Sequence, residues 1–224
     1  MNRFEEQTLA RGYEGAFATN KVIKNTYLLL SATLLFSGLM ALVSLFLAVP
    51  LWTYTVSVIV AMLLGIFVLP RTQDSAAGLG VIFAITGLMG FGLGAVISLY
   101  LQLPNGPQTV ALALGGTGVI FLGLSGYALS SRRDFSFMGG FIFAGMMVML
   151  VAVLANIFLQ LPALQLAIAA GFILLMSGFI LFQTSQMVHG GETNYISATY
   201  GLYLSIFNLF ISLLQILGIF GGDE

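Results

Sequence analysis

Charge all but disappears from this chain after Lys24. The runs 25–70, 75–131, 135–191 and 193–222 contain no Asp, Glu, Lys or Arg. A charged side chain is costly in hydrocarbon, and a helix of about 20 apolar residues is enough to cross a bilayer. Soluble domains carry roughly 25% charged residues, whereas this chain carries 7%, with a mean hydropathy of +1.05. A soluble fold of 224 residues has no room to hide that much apolar surface, so the chain is an integral membrane protein.

Pro, Gly and the few charges punctuate the apolar runs. The breaks fall at Pro50, PRTQDSA (70–76), LPNGP (103–107), SRRDFS (131–136), Pro162 and VHGGET (188–193). They leave seven spans, roughly 25–49, 51–69, 77–101, 109–130, 137–160, 163–186 and 195–219. Alternation with a period of two is absent, and the runs are about twice the length of a membrane-barrel strand. The expected fold is therefore an all-α bundle of seven transmembrane helices. An N-terminal tail, 1–24, and a short C-terminal tail, 220–224, flank it. The first span is too long for a signal-peptide core and is read as an anchor.

The basic residues sort by connection. Arg3, Arg11, Lys21 and Lys24 are in the N-terminal tail, Arg71 in the second connection, and Arg132 and Arg133 in the fourth. These seven are all the Lys and Arg in the chain. By the positive-inside rule the N-terminus is expected in the cytoplasm and the C-terminus on the far side. Trp52, Tyr54 and Tyr100 then fall near the outer interface, where amphipathic rings are favoured.

The turn between helices six and seven, MVHGGETNYI, holds the only His of the chain, His189, close to Glu192. It reads in two ways. Thr193 or Asn194 caps helix seven while Glu192 complements its dipole, or His189 and Glu192 form a proton-responsive pair.

Helix seven has the clearest periodicity. Asn194, Ser197, Gly201, Ser205, Asn208, Ser212 and Gln215 recur at steps of three and four and form one small, polar face. Ile206, Leu209, Phe210, Leu213 and Leu214 lie on the other side. Ser177, Gln183, Thr184 and Gln186 of helix six and Asn156 of helix five are candidate partners for the polar face in the bundle interior. The face is either interhelical glue or the lining of a pathway. The expected hydrocarbon core contains no carboxylate or basic group, which weighs against an ion pathway. Glycines crowd helix three (Gly87, Gly90, Gly92, Gly94) and helix four (Gly115, Gly116, Gly118, Gly123, Gly126), and small residues let helix backbones approach closely in lipid. The pair Gly90 and Gly94 is expected to pack within the chain rather than in a dimer.

Other function classes are excluded. The chain has no Cys, so Cys-based metal sites and thiolate chemistry are absent. A net charge of −1 offers nothing to nucleic acid. There is no H-E-x-x-H, no G-x-S-x-G elbow and no phosphate-binding loop. No enzyme activity, metal or cofactor is expected.

The segment FILFQTSQMVHGGETNYISATYGLYLSIFNLFISLLQILG (179–218) resembles the C-terminal signature of the Bax inhibitor-1 family. The match to its bacterial YccA branch is closer, and extends to NKVIKNTYLLL (20–30), SRRDFSFMGG (131–140) and ANIFLQLPAL (155–164). The resemblance implies a seven-helix bundle in the bacterial inner membrane. It also implies association with FtsH, a membrane-bound ATP-dependent protease, and with its HflK–HflC partners. The protein would restrain that protease while being a slow substrate gripped by its N-terminal tail. The broader family implies an alternative, a calcium leak gated by a pair of buried aspartates. At those positions this chain has Gln183 and Ser205, which do not titrate in that range, so the di-aspartate latch is absent. The resemblance leaves the oligomeric state open.

Overall fold

The computed structural model describes the backbone of residues 3–220 and the side chains of residues 20–219. Among the described residues the chain is helical and contains no strand. Seven helices are long and apolar enough to cross a membrane. Helix α1 is Arg3–Phe46. Helix α2 is Trp52–Thr72, and α3 is Ala76–Leu101. Helices α4 and α5 are Gly106–Ser131 and Met138–Leu159. Helices α6 and α7 are Pro162–Val188 and Tyr195–Phe220. The protein is a multi-pass membrane bundle.

The ends follow from local chemistry. Past α1, Ala48 turns into the left-handed region (φ 48°) ahead of Pro50. Left-handed residues also lie at the ends of α4 (Arg132, φ 49°) and α5 (Gln160, φ 50°). Pro107 and Pro162 sit in the first turns of α4 and α6, where a missing N–H costs nothing. Two expected boundaries move. The backbone of α1 is helical from Arg3, so the helix does not begin at the first apolar residue. The expected tail side chains up to Thr19 lie outside the described residues. Pro70, expected as a break, lies inside α2: the helix widens into a π turn over Leu64–Val68 and resumes over Leu69–Thr72. Proline has no N–H to give the preceding turn, and the irregular turn ahead of it accommodates the loss.

Helix α7 is central. It packs against α6, α4, α1 and α3; α2 leans on α3, and α5 rests mainly on α6. Glycine explains the tightest crossings. A Cβ on Gly90 would run into the backbone and hydroxyl of Ser37, and one on Gly94 into Ala41 and Ser44, all on α1. A Cβ on Gly92 would lie 2.9 Å from the Cβ of Ser57 on α2. The Gly90/Gly94 pair is thus used within the chain. The glycines expected to pack along α4 are a correction: of Gly115, Gly116, Gly118, Gly123 and Gly126, only Gly116 approaches a neighbour, Leu213, while the other four have open space beside them.

Tyr203, 1% exposed, ties three helices together. Its hydroxyl donates to the carbonyl of Thr86 on α3 (3.2 Å) and lies 2.7 Å from Ser37 Oγ on α1. With the tyrosine proton committed to the carbonyl, Ser37 is the donor of the second bond.

Candidate functional site

The site grows from the turn before α7. Asn194 Oδ1 accepts from the N–H groups of Ile196 (2.9 Å) and Ser197 (3.1 Å), which are otherwise orphaned at a helix start. Its Nδ2 donates to the carbonyl of Gln73 (3.1 Å) and to Asp74 Oδ1 (2.7 Å). One side chain therefore caps α7 and bolts it to the α2–α3 turn. Glu192 accepts from Asn194 N through Oε1 (2.8 Å) and from Ser197 Oγ through Oε2 (3.1 Å). Its negative charge meets the positive end of α7. Thr193 is exposed, and the capping falls to Asn194.

His189 and Glu192 do not pair. Nδ1 of His189 lies 2.9 Å from the carbonyl of Ser185, an acceptor only, so Nδ1 carries the proton there. Gly190, with φ 75°, reverses the chain, leaving His189 folded back on α6 and Glu192 turned toward α7. Ser185 also accepts from Phe135 N (2.9 Å) and donates to the Arg133 carbonyl (3.2 Å), so the end of α6 is fixed to the α4–α5 turn. In that turn Asp134 accepts from Ser136 N (2.8 Å). The Ser136 hydrogen bonds hold its carboxyl below the usual aspartate range, with a smaller contribution in the same direction from the charge of His189. Arg71, Asp74, Arg132, Arg133, Asp134 and Glu192 thus share one end of the bundle, joined by Asn194 and Ser185.

Below the turn the polar face of α7 lines a cleft of about 310 Å³. Glu192 stands at its mouth, followed by Ser197, Gly201, Ser205 and Asn208, with Gln183 from α6 and Met146 from α5. The carboxamide of Gln183 lies on the bare backbone of Gly201, where a Cβ would stand 3.0 Å from Oε1. Gln183 and Ser205, the positions expected to be aspartate from the family resemblance, therefore meet in one cavity. Ser205 Oγ donates to the Gly201 carbonyl (2.9 Å), and Asn208 Nδ2 to the Leu204 carbonyl (2.8 Å). Both are bonds back onto the same helix.

The remaining candidates lie elsewhere. Ser212 is buried and Gln215 half-buried farther along α7, and neither lines the cleft. Ser177 is half-buried on α6, also outside it. Asn156 is corrected: its Oδ1 accepts from Leu161 N (3.1 Å), so the side chain closes the end of α5 rather than joining the bundle interior. The apolar side of α7 is buried as well, because α1, α3, α4 and α6 surround the helix. Among the described residues, no three His, Asp or Glu side chains gather as a metal site would need. A second cavity of about 560 Å³ lies between α1, α3, α4 and α7, walled by apolar residues such as Leu34, Leu93, Phe121 and Phe207. Sequence periodicity missed Tyr203 and Ser185, since each is a single polar group with partners far along the chain.

Comparison with known proteins places the bundle. A Pseudomonas aeruginosa protein is 52% identical over 204 residues, covering 91% of each chain. The Escherichia coli K12 protein named modulator of FtsH protease YccA is 48% identical over 206 residues, 92% of this chain and 93% of its own. Its counterpart in E. coli O6:H1, at the same identity and coverage, is named inner membrane protein YccA. The family described as inhibitor of apoptosis-promoting Bax1 matches residues 19–222. With the match running through every span, the turn at His189 and the cleft at Gln183 and Ser205, the chain belongs to the Bax inhibitor-1 family.

Proposed function

We propose that the protein is an inner-membrane regulator that binds the FtsH protease and restrains it. The observation that carries this reading is the 48% identity, over 92% of the chain, to the E. coli protein named modulator of FtsH protease. In this reading the N-terminus is cytoplasmic, the C-terminus is periplasmic, and the seven basic residues stay on the cytoplasmic side. The protease, with its HflK–HflC partners, grips the tail at residues 1–24. The bundle then resists extraction. Pulling α1 away would separate Gly90 and Gly94 from their α1 contacts, and would take from Ser37 its hydrogen-bond partner Tyr203.

The test is degradation of a membrane substrate by FtsH in proteoliposomes with and without this protein, followed by pull-down from the same sample. Slower degradation with co-purification supports the regulator; unchanged degradation without association refutes it. Deleting residues 1–20 then separates grip from restraint. The shortened protein is expected to persist in cells and still inhibit, and equal turnover of both forms would remove the tail from the mechanism.

The cleft favours one second reading, a calcium leak, because Gln183, Ser205 and Glu192 line a single cavity. It predicts calcium flux in liposomes that changes on Gln183→Asp or Ser205→Asp. Absence of flux in all three proteins ends it.

A further inference from the structure

We infer that the cleft beside α7 is the seat for a transmembrane helix of a partner protein. That helix carries a hydrogen-bonding side chain near mid-membrane and a basic side chain near the charged end of the bundle. The inference rests on the regulator reading and specifies its contact surface. Three observations lead to it.

Helices of this chain cover the polar face only in part: Gln183 of α6 lies over Gly201 and Ser205 is buried, while the stretch from Ser197 to Asn208 opens into the cleft. One wall of the cleft is α6, through Met176, Phe179 and Gln183; α2 meets α7 where Gly65 faces Tyr200, and α5 touches the cleft only through Met146. The cleft is also deep. Asn208 is thirteen residues into α7, about 20 Å from its start at about 1.5 Å per residue, and so near the middle of a hydrocarbon core about 30 Å thick.

The cleft holds unspent hydrogen-bonding capacity. Gln183 is 8% exposed, lines the cavity, and among the described residues its carboxamide has no hydrogen-bond partner. Asn208 commits one N–H to its own helix, and its Oδ1 has no partner among the described residues. Groups left so in lipid are costly. An acyl chain cannot satisfy them, whereas a Ser, Thr, Asn or Gln on a neighbouring helix can. A cavity of about 310 Å³ takes one or two such side chains and leaves the partner's backbone on the rim.

The charge pattern supplies direction. Glu192 is the only charged residue lining the cleft, and among the described residues it has no basic partner. A Lys or Arg at the end of the incoming helix complements it. Apolar side chains complete the wall: Met146 from α5, Met176 and Phe179 from α6, and Leu204 from α7.

The experiment uses the full chain reconstituted with purified FtsH. A photoreactive benzoylphenylalanine is placed at Met146 or Leu204 in the cleft, or at Leu174 on the outer face of α6, which is 75% exposed. Crosslinks to FtsH from the first two positions and not the third support the seat. A second measurement uses the double variant Q183L/N208L. Losing two intramembrane hydrogen bonds is expected to weaken co-purification about tenfold. The bundle itself should unfold at the same or a higher detergent concentration, since unpaired polar groups have been removed. Co-purification with crosslinks only from outside the cleft, or an unchanged affinity of the double variant, overturns the seat and leaves the regulator reading standing. Absence of any association overturns both.

Discussion

Helices α5 and α7 both cross the bilayer, yet they are buried in opposite measure. In its most apolar stretch α5 is 6% buried, whereas α7 is 44% buried. The more apolar of the two is the one left facing lipid. In water the order would be reversed. In a bilayer, exposure of Leu and Phe costs nothing, so position is decided by close packing and hydrogen bonding. Helix α7 offers Thr199, Tyr203 and a cap at Asn194. Helix α5 offers small residues to α6, at Gly139 and Gly145, and phenylalanines to everything else.

The largest effect expected from this contrast comes from glycine. Gly90→Leu should destabilise the bundle by about 3 kcal/mol, because its Cβ meets the Ser37 backbone. Gly140→Leu on α5 has open space, and should stay within about 0.5 kcal/mol of the parent. Unfolding by SDS titration in mixed micelles reads both, and equal losses would break the comparison.

Next in size is the cap. Asn194→Ala removes two bonds to α7 and two to the α2–α3 turn. It should cost about 1–2 kcal/mol. Asn156→Ala, at the end of α5, loses the single bond to Leu161, or about 0.5 kcal/mol. A larger loss at Asn156 would show that α5 is held more firmly than its contacts suggest.

Tyr203→Phe sharpens the centre of the bundle. It takes the partner from Ser37 and the additional donor from the Thr86 carbonyl, and intramembrane hydrogen bonds average about 0.6 kcal/mol each. The expected cost is therefore about 1 kcal/mol in the same titration. No change would mean that those groups find other partners.

The smallest effect is at the charged end. Asp134 has a lowered folded pKa, so the stabilisation from its ionised form is present above the unfolded value. It is lost as pH falls through the lowered one. Hydrogen exchange of the 132–137 turn should quicken only in that acid range. Ser136→Ala should bring the titration of Asp134 back toward the ordinary aspartate value, as followed by carboxyl NMR. A titration unmoved by the substitution would assign the shift to the Ser136 backbone N–H, which the substitution keeps, with the charge of His189 as the smaller contribution.

The seven spans were legible because lipid demands long uncharged runs, and the turns because they hold the few charges and prolines. The polar face of α7 was legible for the same reason of spacing: Ser197, Gly201, Ser205 and Asn208 do line one cavity. Its surroundings were not. Periodicity identifies a face but not what lies opposite, so Asn156 was drawn in from a helix end that points elsewhere. Glycine counts misled in α4 for a related reason. Gly92 and Gly118 look alike in sequence, but only Gly92 has a backbone pressed against it. The His189–Glu192 pair was undone by two intervening glycines, whose turn cannot be foreseen from composition.

The π turn at Leu64–Val68 bears on how the chain tolerates a change in length. Such a turn spreads its hydrogen bonds over five residues instead of four, so α2 holds one residue more than an unbroken α-helix of the same height. Removing one residue within 64–68 would let the turn relax to ordinary α geometry. Trp52–Leu63 and Leu69–Thr72 would each keep the faces they now present. The same deletion in the regular α3 would rotate everything beyond it by about 100°, a full step of the helix, and carry Gly90 and Gly94 away from α1.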